Sequence, residues 1–553
     1  MRRQRLAALL AAVLALPVLA LSVDAQGRRD TAVIGTVQEP DLFGPFSIMV
    51  AASVVQNAMF AYAAPFNDKW VRQPMMVEKL PTIKDGDWVI LPGNKMRVTW
   101  RLKRGFTWHD GQPVTALDWR FTYGMLRNPQ TPQVSRFVLK KVDNVLVPNP
   151  ADPYTLVVQW NELFPFAGSE PFGHPYPLPR HILERPYNQD PSRLKAHPYW
   201  RAPVAAGPYR FVEWVAGSHI TLEAYERFPL GVPKIKRVTI RFILDNTVLQ
   251  ANQIAGTVDA TDNAGFDCDA MEQIEKRNPQ IVAHYREALS WERVDFNLDN
   301  EWLKDRRVRH AIAHAVDRAA LAELSCSGGR QPPAHGWLAP RHPASHPSLK
   351  KYAFDPARAR QLLTEAGFTM GPDGILRDAS GKRFEMTIMS TAGSAIREQT
   401  EQVMKEQLKQ VGIDLRIDNR PASVFLGPII NRRQFPHLAL YGSLFSPETL
   451  PISRFHSSQI PSAANNWEGD NRAGWRNADN DRLWEQMISE LDEKKRIALF
   501  RRQQEIFAED LPSLPLYFRL SRTTSHKRIL NVRPTGLSGS YMLWNSYDWR
   551  WDD

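Results

Sequence analysis

Cysteine is almost missing from this chain: Cys268 and Cys326 are the two thiols in 553 residues. They lack the CxxC spacing of a zinc or thioredoxin-like redox site. In an oxidising compartment they could pair, but the spacing alone leaves that open. The motifs of common hydrolases are missing too. There is no G-x-S-x-G, no H-E-x-x-H and no paired-carboxylate motif. A secreted hydrolase would have to assemble its residues from distant parts of the chain. After the N-terminus no apolar run reaches the length of a transmembrane helix. The formal charge is +11, yet no recognisable nucleic-acid-binding motif carries it. A basic soluble surface, with some bias toward anionic membranes or ligands, accounts for it better.

Hydrophobic residues make up 43% of the chain, with 17 Trp, 25 Phe and 42 Pro, which predicts a globular protein with many loops. The length predicts two to four domains. Residues 1–25 read as an export signal. Arg2, Arg3 and Arg5 precede an apolar stretch broken by Pro17. Val23 and Ala25 occupy the −3 and −1 positions of a cleavage site, leaving Gln26 first. An uncleaved membrane anchor is the alternative. No cysteine follows the apolar stretch, so no lipid anchor is expected.

The most legible stretch is residues 96–129. Met96, Val98, Trp100 and Leu102 alternate with polar residues, the period of a half-buried strand. Turns follow at Gly105 and Gly111. Thr115 and Asp118 form a capping box for a helix with a predicted stripe of Leu117, Phe121, Gly124 and Met125. Residues 31–37 read as a first strand, 51–62 as an apolar helix and 165–199 as a long covering loop. His174, His181 and His197 in that loop have no ligand spacing. Residues 238–260 and 384–417 each read as a β-α-β unit. One helix is predicted over 305–324. Its His310 and His314, four apart, share a face as a metal pair can, and the reading without a metal is preferred. Asp355, Pro356 and Gly367 punctuate another helix.

Several of these stretches resemble one family. W-R-L-K-x-G begins at Trp100 and W-H-D-G-x-P-V-T-A-x-D-W at Trp108. G-P-Y-x-F begins at Gly207, G-x-V-D-A at Gly256, and V-R-x-A-I-x-x-A-V-D-R at Val308. F-D-P-x-x-A-x-x-L-L-x-E-A-G-F begins at Phe354, and G-W-R-N-x-x-x-D-x-L at Gly474. Their order along the chain resembles the bacterial extracellular solute-binding proteins of the oligopeptide/dipeptide-binding family, family 5. These are the external receptors of ABC importers.

The resemblance implies an α/β, two-lobed periplasmic binding protein fold of type II, peptide-binding cluster, with an extra subdomain inserted in the first lobe. Lobe I would comprise 26–75, 205–288 and 516–553, the subdomain 76–204, and lobe II 289–515. Ligand would be enclosed by hinge closure. The implied cargo is a peptide or peptide-like solute, passed to permease subunits of the inner membrane. The implied protein is a periplasmic monomer without catalysis, cofactor or metal. The same fold carrying an oligosaccharide, opine, nickel or haem-type compound is the alternative. By position, the ligand contacts would be Ser47, Ile48, Met49, Tyr441, Gly442, Ser443, Leu444, Phe445, Asn466, Trp467, Trp475 and Asn477. In many peptide binders of the family an Asp after the strand holds the ligand's amino terminus. Here the loop reads GSLFSPE. Glu448 would substitute, or the ligand carries no free amine there.

Overall fold

The computed structural model describes residues 30–47, 49–132, 136, 138–262, 265–537 and 542–552. The export-signal expectation and Ile48 lie outside them. In chain order the strands are β1 (Thr31–Thr36), β2 (Trp88–Leu91), β3 (Lys95–Arg101), β4 (Val142–Leu146), β5 (Thr155–Trp160), β6 (Tyr209–Val215), β7 (His219–Ala224), β8 (Arg237–Phe242), β9 (Ala260–Thr261) and β10 (Ile281–Phe296). They continue as β11 (Thr369–Met370), β12 (Leu376–Arg377), β13 (Glu385–Met389), β14 (Asp414–Ile417), β15 (Leu438–Leu444), β16 (Ser513–His526), β17 (Ile529–Leu530) and β18 (Arg550–Trp551).

Ten strands form one sheet in the order β14-β13-β15-β10-β16-β9-β1-β8-β7-β6. The long strands β10 and β16 hold it together and divide it. The β10 residues from 291 to 295 pair with Phe518–Ser513 and, with Phe296, with β15; those from 281 to 287 pair with His526–Leu520. The ladder is interrupted between Glu287 and Trp291. Each of these strands therefore leaves one lobe and enters the other. A second sheet, β2-β3-β5-β4, packs in the core of the first lobe.

Local signals explain much of this. Met96, Val98, Trp100 and Leu102 are all buried. The capping box forms: Asp118 Oδ2 accepts from the Thr115 N–H at 2.9 Å, and Thr115 Oγ1 accepts from the Leu117 N–H at 3.3 Å. The helix Ala116–Arg127 is rotated from the predicted stripe, however. It buries Ala116, Trp119, Tyr123, Met125 and Leu126 and leaves Gly124 exposed. The large rings of Trp119, edge-on, and Tyr123, tilted, pack against Phe172 and so set the buried face. Gly207 is needed for close approach: a Cβ there would lie 2.3 Å from Met59 O, to which its N–H donates at 2.7 Å. The strand it introduces, β6, is the sheet edge, where the preceding Pro208 costs no ladder bond.

Three expectations are corrected. The single helix over 305–324 is two, Arg306–Ala315 and Arg318–Ser325. Val316 is extended, and the Asp317 carboxylate accepts from the Ala319 and Ala320 N–H groups at 3.0 Å each. A carboxylate that caps a new helix competes with continuing the old one. The strands of the first β-α-β unit, β8 and β9, are not neighbours, because β1 lies between them, parallel to both. In the second unit β13 and β14 pair directly. The covering loop contains a helix, Arg180–Gln189.

Candidate functional site

Between the lobes lies a cavity of about 250 Å³. Its first-lobe wall comes from Asn57 and from the segment after the helix Val50–Met59, which supplies Tyr62, Phe66 and Arg72, with Glu170 beside them. Phe445, Ser446 and Pro447, just after β15, form the second-lobe wall. His342 hydrogen-bonds Pro447 O at 2.9 Å and anchors that loop.

Arg72 organises the charge. Its guanidinium lies 4.0 Å over the Phe66 ring. Nη1 donates to Ala64 O at 2.8 Å and to Glu170 Oε1 at 2.5 Å. Nε and Nη2 donate to Glu448 Oε2 at 3.1 and 2.6 Å. Burial opposes the charge on Arg72, but Glu170 and then Glu448 hold its pKa above the usual range. Burial pushes the Glu170 carboxyl up; Arg72 opposes this and Glu448 reinforces it. The Tyr62 phenol is raised well above 10 by burial and by Tyr176 and Glu170, so it enters as a neutral hydroxyl. Around Arg72, two carboxylates face one guanidinium. Four of the five Arg72 N–H groups are already committed. Among the described residues that line the cavity Glu170 is the one carboxylate, set beside the apolar Phe66, Phe445 and Leu537, while Glu448 reaches Arg72 from the loop beyond Pro447.

Beneath this loop the chain builds a buried polar layer. Arg293 Nε donates to Asp295 Oδ1 at 2.6 Å, and Ser513 Oγ donates to the same oxygen at 2.7 Å. The Tyr441 hydroxyl donates to Asp295 Oδ2. Ser443 Oγ accepts from both Arg293 and Arg454. Asp470 holds Arg454 at 3.1 Å and Arg472 at 2.9 Å. A void of about 10 Å³ beside them has room for one water.

The family-implied contacts are dispersed by this arrangement. Phe445 lines the cavity. Tyr441 and Ser443 belong to the polar layer behind it, and a Cβ on Gly442 would meet Arg519 and Glu292. Leu444 is 54% exposed. Trp475 is buried, with Nε1 donating to Asp510 at 2.9 Å, and Asn477 caps the helix Ala478–Met487. Both are thus engaged internally. Asn466 and Trp467 have left-handed φ of 53° and 63°, and Trp467 is half-exposed. Ser47 Oγ donates to Asp41 at 2.5 Å, and Met49 is the N-cap residue of the helix Val50–Met59. Sequence reasoning missed Asn57, Tyr62, Phe66, Arg72 and Glu170. The sole sequence signal for the triad was the lone acid of the GSLFSPE loop. His310 hydrogen-bonds Glu509 O and the Tyr352 hydroxyl, and His314 hydrogen-bonds Ala353 O. Among the described residues no cluster of His, Cys, Asp or Glu could hold a metal.

Two lobes joined by paired crossover strands, with a cavity between them, define a bilobed ligand-binding protein. The family model for bacterial extracellular solute-binding proteins, family 5 (middle), matches residues 91–459, and the chain belongs to that family. It is similar to the oligopeptide-binding protein AppA of Bacillus subtilis, 27% identical over 506 residues, covering 88% of this chain and 86% of that one. A Thermus thermophilus oligopeptide-binding protein solved with a pentapeptide superposes with a TM-score of 0.74 at 28% identity, covering 95% of this chain and 96% of that one. Campylobacter jejuni NikZ, solved with Ni(L-His), shares the fold with a TM-score of 0.75 at 23% identity, covering 94% and 99%.

Proposed function

We propose that the chain is the peptide-binding receptor of an ABC importer, exported to the periplasm and acting with inner-membrane permease subunits. It binds and releases its cargo without turnover, as a monomer and without nucleic acid. The observation that carries the reading is the Arg72–Glu170–Glu448 cluster at the cavity between the lobes, in a chain whose relatives include oligopeptide-binding proteins. Glu448 and Glu170 supply the negative charge that a peptide's amino terminus needs, in place of the Asp missing from the GSLFSPE loop. Phe445, Tyr62 and Phe66 supply apolar walls. The remaining family-implied positions, Ser47–Met49, Gly442–Leu444 and Asn466–Trp467, serve as contacts along a longer ligand. The lobe boundaries set out from the resemblance are retained.

Stacking on sugars is disfavoured: Trp100, Trp108, Trp119, Trp160, Trp200, Trp291, Trp337, Trp484 and Trp549 are fully buried core residues. The test is native mass spectrometry of the purified mature chain, followed by release and sequencing of bound material. A ladder of short peptides is expected. A single non-peptide mass would overturn the cargo assignment.

A further inference from the structure

The lobes are joined by two chain connections that lie side by side, β10 and β16. Two adjacent strands restrain separation but leave rotation, twist and sliding between the bodies they join. We propose that the Cys268–Cys326 disulfide is a third connection, a covalent pivot that confines the lobes to rotation about one axis.

The two sulfurs belong to different lobes. Cys268 opens the helix Cys268–Arg277, whose Met271 and Ile274 pack with Leu249, Val258 and Ile281 of the first lobe. Cys326 ends the helix Arg318–Ser325, whose Leu321 and Ala322 pack in the core of the second. The Cα atoms are 5.2 Å apart and both residues are 2% exposed. The bond is embedded in further contacts between the same two segments. Ser327 Oγ donates to Asp269 at 3.3 Å. Arg330 pairs with Glu272 at 2.9 Å and lies 4.9 Å over the Tyr285 ring on β10. Arg522 on β16 approaches Cys268 Sγ at 3.9 Å, so the bond rests against the crossover itself.

Its position relative to the cavity sets its effect. Val294 and Leu516 of the crossover strands pack in the same cluster as Leu321 and Ala322. Trp291 and Phe518 pack in the cluster that contains Trp70 and Phe445. The pivot therefore sits with the former set and the cavity wall with the latter. Opening the cavity separates Arg72 from Glu448 and leaves the disulfide intact. Sliding one lobe past the other would stretch it and is excluded. A receptor restricted to one axis loses fewer orientations when it closes on ligand, which favours binding.

The test compares the oxidised chain with the Cys268→Ser/Cys326→Ser double variant, both free of ligand. Spin labels on noncanonical residues at positions Glu226 and Gln402, both exposed, report the distance between lobes. The double variant is expected to broaden that distribution at least twofold, and phosphine reduction of the wild-type chain is expected to do the same. Asp269→Ala/Glu272→Ala, which keeps the bond, should leave it narrow. Equal widths with and without the bond would overturn the proposal. Loss of circular dichroism on removing the bond would also overturn it, by making the bond a folding element rather than a pivot. The measurement uses no ligand, so failure of the peptide reading leaves it standing.

Discussion

Arg72 and Glu448, 376 residues apart in sequence, meet at 2.6 Å beside the cavity between the lobes. This ion pair closes the site and at the same time occupies the acid that a ligand amine would use. Arg72 also contacts Glu170, so removing Arg72 leaves two carboxylates facing one another in a partly desolvated space.

Glu448→Gln keeps the shape of the side chain and removes its charge. Binding of a peptide with a free amino terminus should weaken roughly 10- to 100-fold, as for loss of one charge-assisted contact. The same peptide with an acetylated amino terminus should bind both forms alike. Isothermal titration of the two peptides against the two proteins checks this.

Glu401 carries a pH dependence. Burial, reinforced by Glu398 and opposed by the Asn419 hydrogen bond and by Arg397, raises its carboxyl to about 7. Asn419 Nδ2 donates to Glu401 Oε2 at 2.6 Å, while Glu401 Oε1 and Asn419 Oδ1 are buried acceptors without a donor. Because the folded value lies above the unfolded one, the folded state holds the extra proton between about pH 4.5 and 7. Stability should fall across that window and level off above it, by on the order of 3 kcal/mol. Urea denaturation from pH 4.5 to 8 should show the slope, and Glu401→Gln should remove this share of it.

Reduction of Cys268–Cys326 frees a loop closed over a sequence separation of 58. On chain-entropy grounds the loss is about 4 kcal/mol. Calorimetry with and without reductant should show a lower melting temperature for the reduced chain.

Gly207→Ala places a methyl against backbone, 2.3 Å from Met59 O, where no side chain can give way. A destabilisation of about 1–3 kcal/mol is expected from overpacking at this contact. Denaturant midpoints of the two proteins check it.

Where neighbours in sequence set the physics, the chain was legible. The alternation through Met96, Val98, Trp100 and Leu102, the Thr115–Asp118 box and the Asp355 cap each need only a few residues and backbone hydrogen bonds. The Asp317 cap was equally local, but the apolar periodicity around it masked the break. The order of such local motifs along the chain also carried the resemblance to the family.

The site was not legible, for a different reason. Arg72, Glu170 and Glu448 show no mutual spacing, since the attraction that assembles them acts through space. Likewise, nothing local tells that β1 separates β8 from β9 or that Trp475 is core. The sequence by itself determined most of the secondary elements and their caps, because those follow from short-range periodicity and hydrogen bonding; the two-lobed class came through the family resemblance. Only the tertiary structure decided which charges meet at Arg72 and that Cys268 pairs with Cys326, because burial, Coulomb pairing and bond formation depend on distance in space.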